Sequence, residues 1–289
     1  MPTDARYGIL EKEEYLNGAR LMYTPCILAL QNREEHAFDV SKVNFKEINV
    51  DNDSIVAEIL TKEATEKAHI KARGMSKSFN IFVKGAKFIK SMADGAVDLQ
   101  KVHNKVLREY SILFDKDALH GDGGNNGLLN SSDPFYITNT SHAIPAISGN
   151  GFNRVQDVNT LIVGLKAQVG EKTSSSDVKV FVYGSDLIKF LGSITADNET
   201  TVREILQKAY PEAMFIEVPT IATPAVDGNG FVVVSDDMTT LHTTTIPTIS
   251  RQGVNEEDEY YYAQYITGSV QVTPDIEGAI IKQAVTFTP

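Results

Sequence analysis

An α+β fold is predicted for this 289-residue chain by three features. One long amphipathic helical stripe runs from Met92 to Asp115, strand patterns stand on both sides of it, and a strand, two helices and two strands follow in close order between Val178 and Val234. The composition, 42% hydrophobic and 22% charged, is that of a globular chain and far from the polar profile of disorder. A chain of this length buries roughly three quarters of its unfolded surface, so its core needs no disulfide or metal staple.

The first forty or so residues mix apolar pairs with charges (Glu11 to Glu14, Arg33 to Glu35) and hold no sustained period. They read as an extended arm with one short helix near Glu11 to Met22. A strand pattern follows in Val43-Asn44-Phe45 and shifts phase before Ile48-Asn49-Val50, as a bulge does. From Asp51 to Lys77 the chain is polar and charge-alternating, and Phe79 to Val83 resumes the strand pattern. Two strands flanking a polar excursion predict a protruding two-stranded loop.

In the long helix, Met92, Ala96, Leu99, Val102, Val106, Tyr110 and Leu113 fall three or four apart on one face. Ser91 is the expected N-cap, with Asp94 favouring the positive helix end. Glycines between Gly121 and Gly127 then stop the helix. Val155, Val158, Leu161, Ile162 and Leu165 form a second helical stripe, and Val178 to Tyr183 is a buried-strand run. Ser185 opens a short helix through Leu191, and Thr201 with Glu204 forms a capping box for a helix ending before Pro211. Strands are expected at Met214 to Val218 and Phe231 to Val234, with Pro-, Gly- and Thr-rich connections at Pro219 to Gly230 and Asp237 to Ser250. One long strand from Tyr260 to Thr273 and a last one from Ala279 to Phe287 close the chain.

The formal net charge of −11 works against tight binding to phosphate backbones. The single cysteine, Cys26, cannot form an intrachain disulfide, so no oxidising compartment is required. The apolar stretch Cys26 to Leu30 is far too short to span a bilayer, and residues 1–6 lack the apolar core of a signal peptide, so an unanchored, unexported chain is expected.

No motif reaches the pattern that chemistry requires. Counted from Gly121, the sixth position of a dinucleotide fingerprint is Asn126, and no Lys-Ser/Thr follows to make a phosphate loop. Asp115, Asp117 and Asp122 hint at calcium, but the fifth and twelfth positions of that register are Leu119 and Asn126. His36, His69, His103, His120, His142 and His242 never approach metal-ligand spacing and read as ordinary surface or packed histidines. Gly184-Ser185-Asp186 is a strand-to-helix turn with a cap and not a nucleophile elbow. Glu256 to Glu259 reads as a solvated loop, and Tyr260, Tyr261, Tyr262 and Tyr265 as two faces of a packed strand. The expectation is therefore no catalytic, cofactor-binding or metal residues, and no enzyme.

Two stretches carry a family resemblance: the turn Gly127-Leu128-Leu129-Asn130 after the long helix, and Val272-Thr273-Pro274-Asp275 leading to Gly278-Ala279-Ile280-Ile281. With the order of elements around them, the chain resembles the major capsid proteins of tailed bacteriophages, of the Hong Kong-type capsid fold. The resemblance implies an N-terminal arm (1–42), an extended two-stranded loop (43–85), a peripheral domain with a spine helix (86–151), an axial domain (152–255) and C-terminal strands returning to the peripheral domain (256–289). It implies a homo-oligomer of hexamers and pentamers tiling an icosahedral shell, enclosing packaged DNA without binding it specifically, assembled in the host cytoplasm and resident in the virion. Scaffolding, portal and decoration proteins are the implied partners, with no membrane. Lys71 and Lys77 lie in the excursion, but no asparagine partner is identifiable and no covalent crosslink is predicted. The rival readings are an encapsulin-type compartment shell and an α+β enzyme.

Overall fold

The computed structural model describes residues 14–16, 29–36, 58–61, 66–72, 75–81, 83–91, 99–145, 151–193, 200–210, 215–218, 227–244, 248–254, 259–267 and 269–288. In chain order these form β1 (Glu14–Leu16), β2 (Arg33–His36), β3 (Glu58–Thr61), β4 (Glu66–Ala72), β5 (Met75–Ile81), β6 (Val83–Ser91), helix α1 (Leu99–His120) and β7 (Tyr136–Pro145). Then come α2 (Gly151–Thr173), β8 (Val178–Tyr183), α3 (Ser185–Leu191), α4 (Val202–Ala209), β9 (Phe215–Glu217) and β10 (Asn229–Ser235). The last strands are β11 (Thr239–Thr244), β12 (Thr248–Val254), β13 (Glu259–Thr267), β14 (Val270–Pro274) and β15 (Ile280–Thr288).

A central sheet of order β7-β15-β10-β8-β9 has both faces covered. On one side Val178, Val180, Val182, Phe231 and Val233 pack with Val158, Ile162, Leu165 and Val169 of α2, Leu187 and Leu191 of α3, and Val202 and Leu206 of α4. On the other, Phe181, Tyr183, Val232 and Val234 pack with Tyr110, Phe114, Ala118 and Leu119 of α1 and with Leu241, Val270 and Val272. Alternate side chains of a strand point to opposite faces, so burial on both sides requires the unbroken apolar runs seen in β8 and β10. Full burial of each such side chain contributes about 1.5–3 kcal/mol.

A second sheet has the order β1-β12-β13-β6-β3, a third β14-β11-β2, and β4 and β5 form a two-stranded hairpin. The hairpin pairs Glu66 with Ile81 through Ala72 with Met75 in unbroken antiparallel register.

Several expectations are corrected. The stretch near Glu11 to Met22 contains a strand, β1, which pairs with β12 through Tyr15 and Ile249, where a short helix was expected. The polar excursion is itself strand-forming, since β3, β4 and the start of β5 lie inside Asp51 to Lys77. Ser91 ends β6 opposite Glu259, and its expected role as N-cap falls on a helix start outside the described residues. The helix continues past Asp115 to His120, where Gly121 at φ +75° takes the left-handed turn and its amide donates to Asp117 O at 2.7 Å. Asp237 to Ser250 holds β11 and the start of β12, because threonine is β-branched and fits a pleated strand. The single strand expected over Tyr260 to Thr273 is two strands in different sheets, β13 against β12 and β14 against β11. The strand expected at Val43 to Val50 and the helix start at 92–98 lie outside the described residues.

Other expectations hold closely. The second stripe is α2, the short helix is α3 with its expected ends, and Thr201 and Glu204 make both bonds of a capping box.

Candidate functional site

Three elements far apart in sequence meet at one end of α1: the arm strand β2, the hairpin strand β5 and the glycine-rich turn. Residues 29–36 are held by contacts with later parts of the chain. Leu30 is fully buried in the core, the Gln31 amide donates to Asp236 Oδ1 at 3.0 Å, and the Leu241 amide donates to Asn32 O at 2.9 Å. Burial pushes the Asp236 carboxyl above its ordinary range, against the opposing pull of the Gln31 amide and the Lys179 ammonium.

The glycine-rich turn is a socket for the hairpin. Asn125, itself buried, receives the Asn80 amide on Oδ1 at 2.8 Å and donates from Nδ2 to the Asn80 carbonyl at 2.8 Å. Asn80 Nδ2 donates in turn to Gly123 O at 3.1 Å. Next to it Phe79 is fully buried, with its ring centroid 5.2 Å from His36 and 6.1 Å from His242. The cluster of glycines thus grips protein backbone.

The Gly127 to Asn130 turn folds back on the helix. Leu128 and Leu129 amides donate to Ala118 O at 2.8 Å and Leu119 O at 2.6 Å. Their carbonyls accept from the Tyr136 hydroxyl and from Lys282 Nζ, the latter at 2.7 Å. Burial raises the Tyr136 and Tyr183 phenols well above the usual tyrosine range and lowers the Lys282 ammonium.

Asp115 and Asp117 are buried positions of α1, two apart on a helix and so not facing one another, which removes them from a calcium loop. Ser185 is an exposed first residue of α3; the cap is supplied by Asn229, whose Oδ1 accepts from the Asp186 and Leu187 amides at 3.1 and 3.0 Å. His120 lies 3.3 Å from Asp227, and His142 is exposed on β7. The side chains of His69, His103 and the β13 tyrosines, and residues 256–258, lie outside the described set.

His36 and His242, which the sequence separates by 206 positions, come together with Glu34. Residue spacing along the chain does not show this cluster, because the parallel pairing of β2 with β11 has no local signal. An open cleft of about 500 Å³ between α2 and β7 is lined by Asn139, His142, Asp157, Gln168 and Gln283 among others, with Asn139 Nδ2 donating to Gln168 Oε1 at 3.0 Å. Among the described residues no helix is long and apolar enough to cross a membrane.

No protein-family profile matches the chain, and no curated protein matches it. Solved structures do. The capsid of Myoviridae phage XM1 superposes with a TM-score of 0.53 at 16% identity, covering 86% of this chain and 97% of that one. The chain has the phage capsid-type fold. Gordonia phage Cozz matches at TM-score 0.52 and 9% identity over 94% of this chain and 89% of that one. The capsid of the native GTA particle matches at 0.50 and 12% over 94% and 93%.

Proposed function

We propose that this protein is the structural subunit of an icosahedral shell of the Hong Kong type, a major capsid protein that assembles as hexamers and pentamers around a packaged phage genome. The observation that carries the proposal is a fold likeness spanning most of this chain and nearly all of the phage XM1 capsid chain. The hairpin β4–β5 supports it: among the described residues its two strands pair only with each other, a form suited to lying across a neighbouring subunit. On this reading residues 1–42 are the arm, 43–85 the extended loop, 86–151 the peripheral domain, 152–255 the axial domain, and 256–289 the returning strands. Strand β15 then joins the two domains, since it pairs with both β7 and β10. The protein acts without catalysis, and its acidic balance suits a container that must not grip its DNA. Scaffolding, portal and decoration proteins are the proposed partners, and the virion the proposed location.

Sedimentation velocity of the full chain, alone and with a co-expressed candidate scaffold, tests this. Boundaries of capsomer and shell size support the proposal, and nuclease-protected nucleic acid inside the shells supports the genome role. A monomer boundary at every concentration and with every scaffold contradicts it.

A further inference from the structure

Strand β2 runs parallel to β11 with Glu34 opposite His242 and His36 opposite Thr244. Glu34 and His36 are two residues apart and therefore share a face of β2, which turns both toward the same neighbour. His36 Nε2 lies 3.2 Å from His242 Nδ1, and His242 Nδ1 lies 3.3 Å from Glu34 Oε2. One ligand atom from each residue falls within 4.8 Å of the other two. Ligands held about 2.0–2.1 Å from a tetrahedral zinc ion stand about 3.3 Å from one another, which matches the two separations that His242 Nδ1 makes, and His36 and Glu34 lie within 4.8 Å of each other on either side of it.

We propose that Glu34, His36 and His242 bind a divalent transition-metal ion, zinc foremost, which ties the arm strand to the body of the subunit. Two imidazole nitrogens and a carboxylate oxygen suit zinc and its first-row neighbours, whereas calcium and magnesium take oxygen ligands. The site is anchored at one end and open at the other. His242 is 1% exposed, while the Glu34 side chain is 56% exposed, giving the ion an entry path and leaving water the fourth position. Phe79 forms an apolar wall against both imidazoles. Because Phe79 belongs to the hairpin, the ion would stiffen the junction of arm, sheet and hairpin together. All three ligands come from one chain, so the proposal does not rest on shell assembly.

The test uses the full-length chain, stripped with EDTA, equilibrated with zinc, desalted and assayed for metal by mass spectrometry. About one zinc per chain is expected, with a thermal midpoint raised by a few degrees and returned by EDTA. His36→Gln should lose the retained zinc and the thermal rise. Glu34→Gln, at an exposed position whose change leaves the fold intact, should weaken both, and His142→Gln, an exposed histidine away from the cluster, should change neither. Cobalt in place of zinc should give the intense visible bands of a four-coordinate ion. Absence of retained zinc in the wild-type chain overturns the proposal, as does equal retention by His36→Gln and Glu34→Gln.

Discussion

Asn125 pairs with the backbone of Asn80 as a neighbouring strand would, accepting its amide and donating to its carbonyl, both at 2.8 Å. One buried side chain thereby fixes the base of the hairpin to the turn that ends α1. Replacing it strands two backbone groups at once. Asn125→Ala is expected to cost about 1–3 kcal/mol and to speed amide exchange selectively in residues 75–81. Uniform exchange changes across the chain would show that Asn125 serves general stability and not the hairpin.

Gly184 links β8 to α3 at φ +97°, and a Cβ there would stand 2.4 Å from Asn229 Oδ1 and from Gly228 O. Gly184→Ala should lower stability by at least about 1–3 kcal/mol, combining left-handed strain with a clash against backbone. Asn229→Ala removes only the helix cap, at about 1 kcal/mol. Urea denaturation of both variants should rank Gly184→Ala as the more damaging.

The capping box offers a smaller, cleaner change. Thr201 Oγ1 accepts from the Glu204 amide at 3.2 Å while Glu204 Oε2 receives the Thr201 amide at 2.9 Å. Thr201→Ala should cost about 1 kcal/mol and Thr201→Ser much less, read as midpoint shifts in thermal melts.

Alkaline pH should titrate the partly buried Tyr136. Its folded pKa is raised by burial and, secondarily, by Tyr183, so the unfolded chain ionises first and stability is lost as pH rises above the ordinary value of 10.0. Lys282 acts the other way: burial holds its folded pKa below 10.5, so the unfolded chain binds the proton and stability grows with pH up to that value. The thermal midpoint should therefore hold or climb toward about pH 10 and fall beyond it. The fall should be shallower in Tyr136→Phe; an unchanged slope there would remove Tyr136 as its source.

The sequence made legible what depends on neighbours in the chain. The stripe of α2, the doubly buried run of β8 and the capping box of α4 are set within a few residues, and the structure keeps them. Strands β11 and β12 were hidden because their threonines read as connection, and the split of β13 from β14 because one strand pattern continues while the partner changes. The arm strand β2 carries three charges in four residues and is a strand only because β11 offers its edge. The Glu34, His36 and His242 cluster depends wholly on that pairing, so histidine spacing along the chain had nothing to report.

The central claim, that the chain builds a shell, is tested most directly by negative-stain electron microscopy of the purified full-length protein, expressed alone and with a candidate scaffold. Closed icosahedral shells, or hexameric and pentameric rings, are the predicted result. Uniform monomers or small dimers under both conditions would contradict it.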